Sequence, residues 1–97
     1  MEIKKLSIVI PAYNEGQTIH LILNKVKSVQ LINGIEKEVI IVNDFSSDNT
    51  DDAIENYKKE NPELDIQYYK HEKNKGKGAA LHTGIAHATG EYLIMQI

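Results

Sequence analysis

Leu6-Ser7-Ile8-Val9-Ile10 runs into Pro11-Ala12-Tyr13-Asn14-Glu15-Gly16, and Glu38-Val39-Ile40-Ile41-Val42 runs into Asn43-Asp44-Phe45-Ser46-Ser47-Asp48-Asn49-Thr50. Both stretches have one design, a short apolar run that stops abruptly in polar, turn-forming residues. A continuous Val/Ile run is the pattern of a parallel strand buried on both faces, and the loop beyond its carboxyl end is where open α/β sheets bind ligands. Asp44 is therefore a candidate ligand carboxylate.

Outward from these strands, Asn14 reads as a helix cap with Glu15 in the first turn. Ile19, Ile22, Leu23, Val26 and then Val29 or Gln30 recur at spacings of three and four, an amphipathic helix of about four turns. Asn33-Gly34 breaks it before the second strand. Asp48-Asn49-Thr50 opens a second helix reaching Lys59, with Ala53, Ile54 and Tyr57 inward and Asn61-Pro62 at its end. Residues 64–69 alternate as a third strand. A lysine- and glycine-rich loop precedes an alanine-rich helix over 77–88, Gly90 marks a stop, and 92–95 form a fourth strand.

The order β-α-β-α-β-α-β with short connections predicts one α/β domain over 1–97, built on a doubly wound, mostly parallel sheet. The strand order 3-2-1-4 places the change of winding direction between strands one and four, with the loops after strands one and two beside the crevice.

Composition narrows the classes. At 97 residues, 41% hydrophobic and 26% charged, the chain is an ordinary globular domain, and no apolar run approaches the roughly 18 residues that span a bilayer. The amino terminus enters a strand without an apolar signal region and there is no cysteine, so a cytoplasmic setting is expected. A net charge of −3 argues against nucleic acid as a partner. The local exception is Lys70, Lys73, Lys75 and Lys77.

On its residues alone Asp44 reads two ways. A carboxylate there accepts hydrogen bonds from a nucleobase N–H or ribose hydroxyls; equally, Asn43, Asp44, Ser46 and Ser47 are turn formers, and Asp48 or Thr50 caps a helix. Glu15 has the same two readings, since a helix's first turn favours an acid. Gly76-Lys77-Gly78 suits a diphosphate, through close backbone approach, free helix N–H groups and a compact charge, or is a flexible surface loop. The Walker spacing is absent. His20, His71, His82 and His87 have no metal-ligand spacing and read as surface or partly packed histidines, and no hydrolase triad or nucleophile elbow is present.

Together SIVIPAYNEG (7–16), IIVNDFSSDNT (40–50) and HEKNKGKGAALHTGIAHATGEYLIMQ (71–96) resemble the amino-terminal half of inverting family 2 glycosyltransferases with the GT-A fold. The likeness is strongest to polyprenol-phosphate mannosyl- or glucosyltransferases. It implies that Pro11, Ala12, Tyr13, Asn14 and Glu15 line the base and ribose of a donor nucleotide, that Asp44 hydrogen-bonds the base, and that Asn74, Lys77 and Gly78 lie near the base, ribose or diphosphate. Phe45 departs from the family's usual small residue. In such enzymes the fourth strand runs into a D-x-D motif that holds a divalent metal, Mg²⁺ or Mn²⁺, against the diphosphate. Here the sequence reads LIMQI, with Ile97 where the first aspartate is expected.

The resemblance thus implies a Rossmann-like donor-binding half for a UDP- or GDP-sugar, holding no metal itself and inactive alone. The acceptor, a polyprenol phosphate or a polysaccharide, and any association with the inner face of a membrane would belong to the rest of the enzyme. The fourth strand, left as an apolar edge at 92–95, is expected to pair two chains into a homodimer. Two other readings stay open: a non-catalytic nucleotide-binding or interaction module, and a nucleotidyltransferase, which usually has a glycine-rich loop after its first strand that PAYNEG does not supply.

Overall fold

The computed structural model describes residues 5–28 and 35–95 of the chain. Its elements are β1 (Lys5–Ala12), α1 (Ile19–Ser28), β2 (Glu36–Asn43), α2 (Thr50–Glu60), β3 (Ile66–Lys70), α3 (Lys77–His87) and β4 (Tyr92–Met95). The strands lie in the order β3-β2-β1-β4, and each neighbouring pair is parallel. The doubly wound α/β expectation and its order hold.

Two cores explain why β1 and β2 are apolar without interruption. Successive side chains of a strand point to opposite faces. Ile8, Ile10 and Ala12 of β1 and Val39 and Ile41 of β2 join Ile19, Leu23 and Val26 of α1 and Ile54 and Tyr57 of α2 on one face. Val9, Ile40 and Val42 pack on the other face with Ala80 of α3. The connection after β3 therefore crosses to the opposite side of the sheet, and the winding reverses between β1 and β4 as expected.

α3 lies close against the sheet because its inward residues are small. A Cβ on Gly84 would stand 2.3 Å from Val9 Cγ1, so only glycine leaves room there. At the far end of the sheet the buried Glu38, 1% exposed, ties three strands and the α3–β4 turn together. It accepts hydrogen bonds from Ser7 Oγ (2.6 Å), Gln67 Nε2 (2.7 Å) and the backbone N–H of Thr89 (2.8 Å). The Thr89 hydroxyl reaches both carboxylate oxygens at 3.1 Å. Ser7 Oγ in turn accepts the Gly90 N–H at 2.8 Å.

Several boundaries differ from the sequence reading: β1 runs on through Pro11 to Ala12, and β2 spans Glu36–Asn43. Asn14 does not cap α1: it adopts a left-handed φ of 52° and its side-chain carbonyl is spent across the loops. α1 instead begins at Ile19, after a turn in which Thr18 and Ile19 donate to the Glu15 carbonyl at 3.0 and 2.7 Å. β3 starts at Ile66 rather than 64, because the Leu64 N–H is drawn back to the Asn61 carbonyl in the turn after α2 (3.1 Å). α3 ends at His87, and Gly90 packs against β1. The expected break at Asn33-Gly34, the residues Val29 and Gln30, and Ile97 lie outside the described residues.

Candidate functional site

The carboxyl ends of β1 and β2 are stitched into one ledge. Asn14 Oδ1 accepts the Ser47 N–H at 2.8 Å, while the Asn14 N–H donates to Ser46 Oγ at 2.9 Å. The Glu15 N–H donates to Thr50 Oγ1 (2.8 Å) and the Gly16 N–H to Asp48 Oδ2 (3.1 Å). Asp48, one residue before the N-cap Asn49, also accepts the Thr50 N–H at 2.9 Å, so part of the polar cluster serves the turn into α2, the plainer of its two readings. Behind it runs a chain of bonds: Tyr68 donates to Asp51 (2.7 Å), Asn43 Nδ2 donates to Tyr68 (2.9 Å), and Ser46 donates to Asn43 Oδ1 through both its N–H and its hydroxyl.

This loop geometry seats Phe45 at φ 57°, a region that bulky side chains rarely adopt, with the ring 55% exposed. The Asn43–Ser46 bonds on one side and the anchored carboxylate of Asp44 on the other hold that strain in place.

Asp44 is only 3% exposed and is the centre of the site. Its Oδ1 lies 2.8 Å from His71 Nδ1 and accepts the Lys75 N–H at 2.9 Å; its Oδ2 accepts the Gly76 N–H at 2.8 Å. Its backbone N–H donates to the Ala12 carbonyl (2.9 Å), and its carbonyl accepts from Asn74 Nδ2 (3.3 Å). Burial by itself pushes the carboxyl up, but the hydrogen bonds from His71, Lys75 and Gly76 and the charge of His71 outweigh it and hold Asp44 below the ordinary 3.8. The residue is an anion that clamps the glycine loop to the end of β2.

Beside it, at the carboxyl edge of the sheet, a cleft of about 430 Å³ opens between β1 and the amino end of α3. Ile10, Pro11, Ala12, Tyr13, Glu15, Ile22, Asp44, Asn74, Gly76, Lys77 and Ala80 line it. Of the expected residues, Pro11, Ala12, Tyr13, Glu15, Asp44, Asn74 and Lys77 are brought together in this one wall, whereas Asn14, bonded to the next loop, and Gly78, exposed one residue into α3, do not line it. Gly76 has φ 93°, a conformation glycine adopts freely, and leads into α3, whose first-turn N–H groups have no acceptor inside the helix.

His71 was missed. Grouped with surface or partly packed histidines, it has a side chain 7% exposed and a partner at each ring nitrogen. The signal was available: His71 directly follows β3, at the same carboxyl edge that singled out Asp44.

Among the described residues no three His, Asp or Glu side chains gather to hold a metal ion, and no helix is long and apolar enough to cross a membrane. The resemblance places the divalent metal on a D-x-D motif that follows the fourth strand, and no such motif lies among the described residues.

The Glycosyl transferase family 2 model matches residues 7–96. The chain belongs to glycosyl transferase family 2. It is 38% identical over 93 residues to a poly-beta-1,6-N-acetyl-D-glucosamine synthase of Staphylococcus epidermidis, a match covering 96% of this chain and 21% of that one. To a dolichyl-phosphate beta-glucosyltransferase of Trichomonas vaginalis it is 36% identical over 94 residues, covering 92% and 27%. Among solved structures, the mannosyltransferase PcManGT from Pyrobaculum calidifontis in complex with GDP-Man and Mn²⁺ superposes with a TM-score of 0.85 at 26% identity, covering 96% of this chain and 26% of that one. S. aureus TarS in complex with UDP-GlcNAc gives 0.82 at 28% identity, covering 94% and 25%. The family 2 chain thus spans between a fifth and a third of the length of these relatives, and its sheet has the GT-A arrangement of glycosyltransferases.

Proposed function

We propose that this family 2 chain is the donor-binding part of a glycosyltransferase and takes the nucleoside diphosphate of a UDP- or GDP-sugar in the cleft beside Asp44. The observation that carries the proposal is the clamp: one buried carboxylate joins the end of β2 to the Gly76-Lys77 loop, so that base-sized and phosphate-binding features share a wall. The base and ribose lie against Pro11, Ala12, Tyr13 and Glu15, within reach of Asp44 and Asn74. The diphosphate lies at Lys77 and the amino end of α3, near Gly78, where the helix dipole and the ammonium favour an anion.

The relatives' printed names include a dolichyl-phosphate transferase and a polysaccharide synthase, and on this reading the complete enzyme delivers sugar to a polyprenol phosphate or a polysaccharide at the inner face of a membrane, its donor half in the cytoplasm. The divalent metal acts there through ligands other than the described residues. The chain by itself binds nucleotide without transferring sugar. Calorimetric titration with UDP, GDP and their sugars tests this: saturable one-to-one binding of one nucleotide family, equally strong with and without Mn²⁺, is expected. Metal-dependent turnover of a sugar nucleotide by the 97-residue chain would show that the division of labour is wrong.

We further propose that two chains pair through β4. Tyr92, Ile94 and Met95 are 60%, 49% and 44% exposed on a strand that pairs on one side with β1. Such an apolar strand recruits another. Sedimentation should show a concentration-dependent dimer that Ile94→Lys dissociates; a monomer at millimolar concentration would remove the idea.

A further inference from the structure

His71 is fixed at its backbone, where its N–H donates to the Asn43 carbonyl at 2.9 Å and adds a rung beyond the end of β3. From there the imidazole turns inward between two elements. Nδ1 meets Asp44 Oδ1 at 2.8 Å, and Nε2 meets Thr83 Oγ1, in the middle of α3, at 2.8 Å. An ionised carboxylate only accepts, so Nδ1 carries a proton. Thr83 also reaches the Ala79 carbonyl at 3.1 Å, so its hydroxyl can serve Nε2 in either direction and the ring stays held.

The consequence falls on Asp44. A carboxylate offers about four lone-pair directions. Oδ1 spends two, on His71 and Lys75, and Oδ2 spends one, on Gly76. The vacant direction belongs to Oδ2, bonded to a residue that lines the cleft. The terminal torsion of an aspartate is broad and roughly two-fold, so by itself the carboxylate swings. The imidazole, braced from α3, joins the Lys75 and Gly76 N–H groups in stopping that swing and holds Oδ1 from the side of β3.

We propose that His71, oriented by Thr83, is a positioning residue of the nucleotide site: it sets Asp44 so that one lone pair of Oδ2 meets an N–H or O–H donor of the ligand. The proposal rests on the nucleotide reading of the cleft and adds to it two residues outside the cleft wall. Thr83 acts only through the ring.

Calorimetry on the full chain, with UDP and GDP as probes and folding monitored by circular dichroism, tests it. His71→Ala should weaken binding tenfold or more, and Thr83→Val three- to fivefold. His71→Asn, whose amide returns an N–H near the place of Nδ1, should bind within threefold of the unaltered chain. The variant with both His71→Ala and Thr83→Val should bind no more weakly than His71→Ala alone. A purely structural role would lower the melting temperature and leave the affinity of the folded protein unchanged. A folded His71→Ala with full affinity, or additive losses in the double variant, overturns the proposal while the nucleotide reading stands. An unaltered chain that binds neither nucleotide overturns both. Should His71→Ala not fold, Thr83→Val decides: undiminished affinity overturns the proposal.

Discussion

Asp44→Asn is expected to cost about a hundredfold in nucleotide affinity and to loosen residues 71–76. The change is nearly isosteric, so cavity formation plays no part. An amide nitrogen must replace one carboxylate oxygen, yet His71, Lys75 and Gly76 all present donors to that group. One donor is left facing another, and the charge that strengthened the remaining bonds is gone. Hydrogen bonds to a charged group are worth about 1.5–3 kcal/mol, and a hundredfold is about 2.7 kcal/mol, so losing the equivalent of one or two such bonds suffices. The measurement is calorimetric titration beside hydrogen exchange of the Lys75 and Gly76 amides. Exchange should accelerate strongly at those two positions, whereas the β1–β2 ladder keeps its protection. Unchanged affinity in a folded Asp44→Asn protein would move the pocket elsewhere.

The second large effect is on stability and lies at the opposite end of the sheet. Glu38→Ala should destabilise the domain by about 3 kcal/mol, since Ser7, Gln67 and Thr89 lose a buried acceptor at about 1–3 kcal/mol for each group left unpaired. In a domain of this size that is a fall in Tm of roughly 10–20 °C. Burial raises the Glu38 carboxyl, but the bonds from Ser7 and from the backbone and hydroxyl of Thr89, with the charge of Lys5, outweigh it and hold the group below the ordinary 4.5. The folded state therefore binds the proton more weakly than the unfolded state. The stabilisation is full above the unfolded value and is lost as pH falls through 4.5 towards the lower folded value; Asp44 adds a like loss below 3.8. Thermal melts between pH 7 and pH 3 should show a steep decline in this window, and Glu38→Ala should flatten it. A parallel decline in both proteins would assign the acid sensitivity to other carboxylates.

Much of this was legible in the sequence because it rests on local pattern. Val39, Ile40, Ile41 and Val42 are apolar without alternation because helices cover both faces, and that run determined a parallel sheet and so its switch point. The ledge after β1 and β2 was equally visible as a place. What could not be read were partners remote in sequence. Asn14 looked like a cap because nothing nearby shows that its carbonyl would be claimed by Ser47 from the next loop. Nothing near Glu38 in sequence marks it as an internal anchor, because its partner Thr89 lies 51 residues away. His71 lacks a metal-ligand neighbour in sequence and so reads as a surface or partly packed histidine, whereas its partners, Asp44 and Thr83, come from the loop after β2 and from α3. Phe45 stands where the resemblance implies a small residue, and the structure seats it with the ring turned to solvent on a left-handed backbone.

The clamp joins two features that each had an ordinary explanation, a turn and a surface loop. Held together by Asp44 they form one wall, and the proposed nucleotide lies along it. The most direct measurement is a nitrogen–proton correlation titration of the unaltered chain with UDP and with GDP. The account predicts saturable shifts, for one of the two, confined to the amides of Ala12, Tyr13, Lys75, Gly76 and Lys77, with β3 and the β4 edge unmoved. Shifts centred on Lys70 and Lys73 instead, or none with either nucleotide, would contradict it.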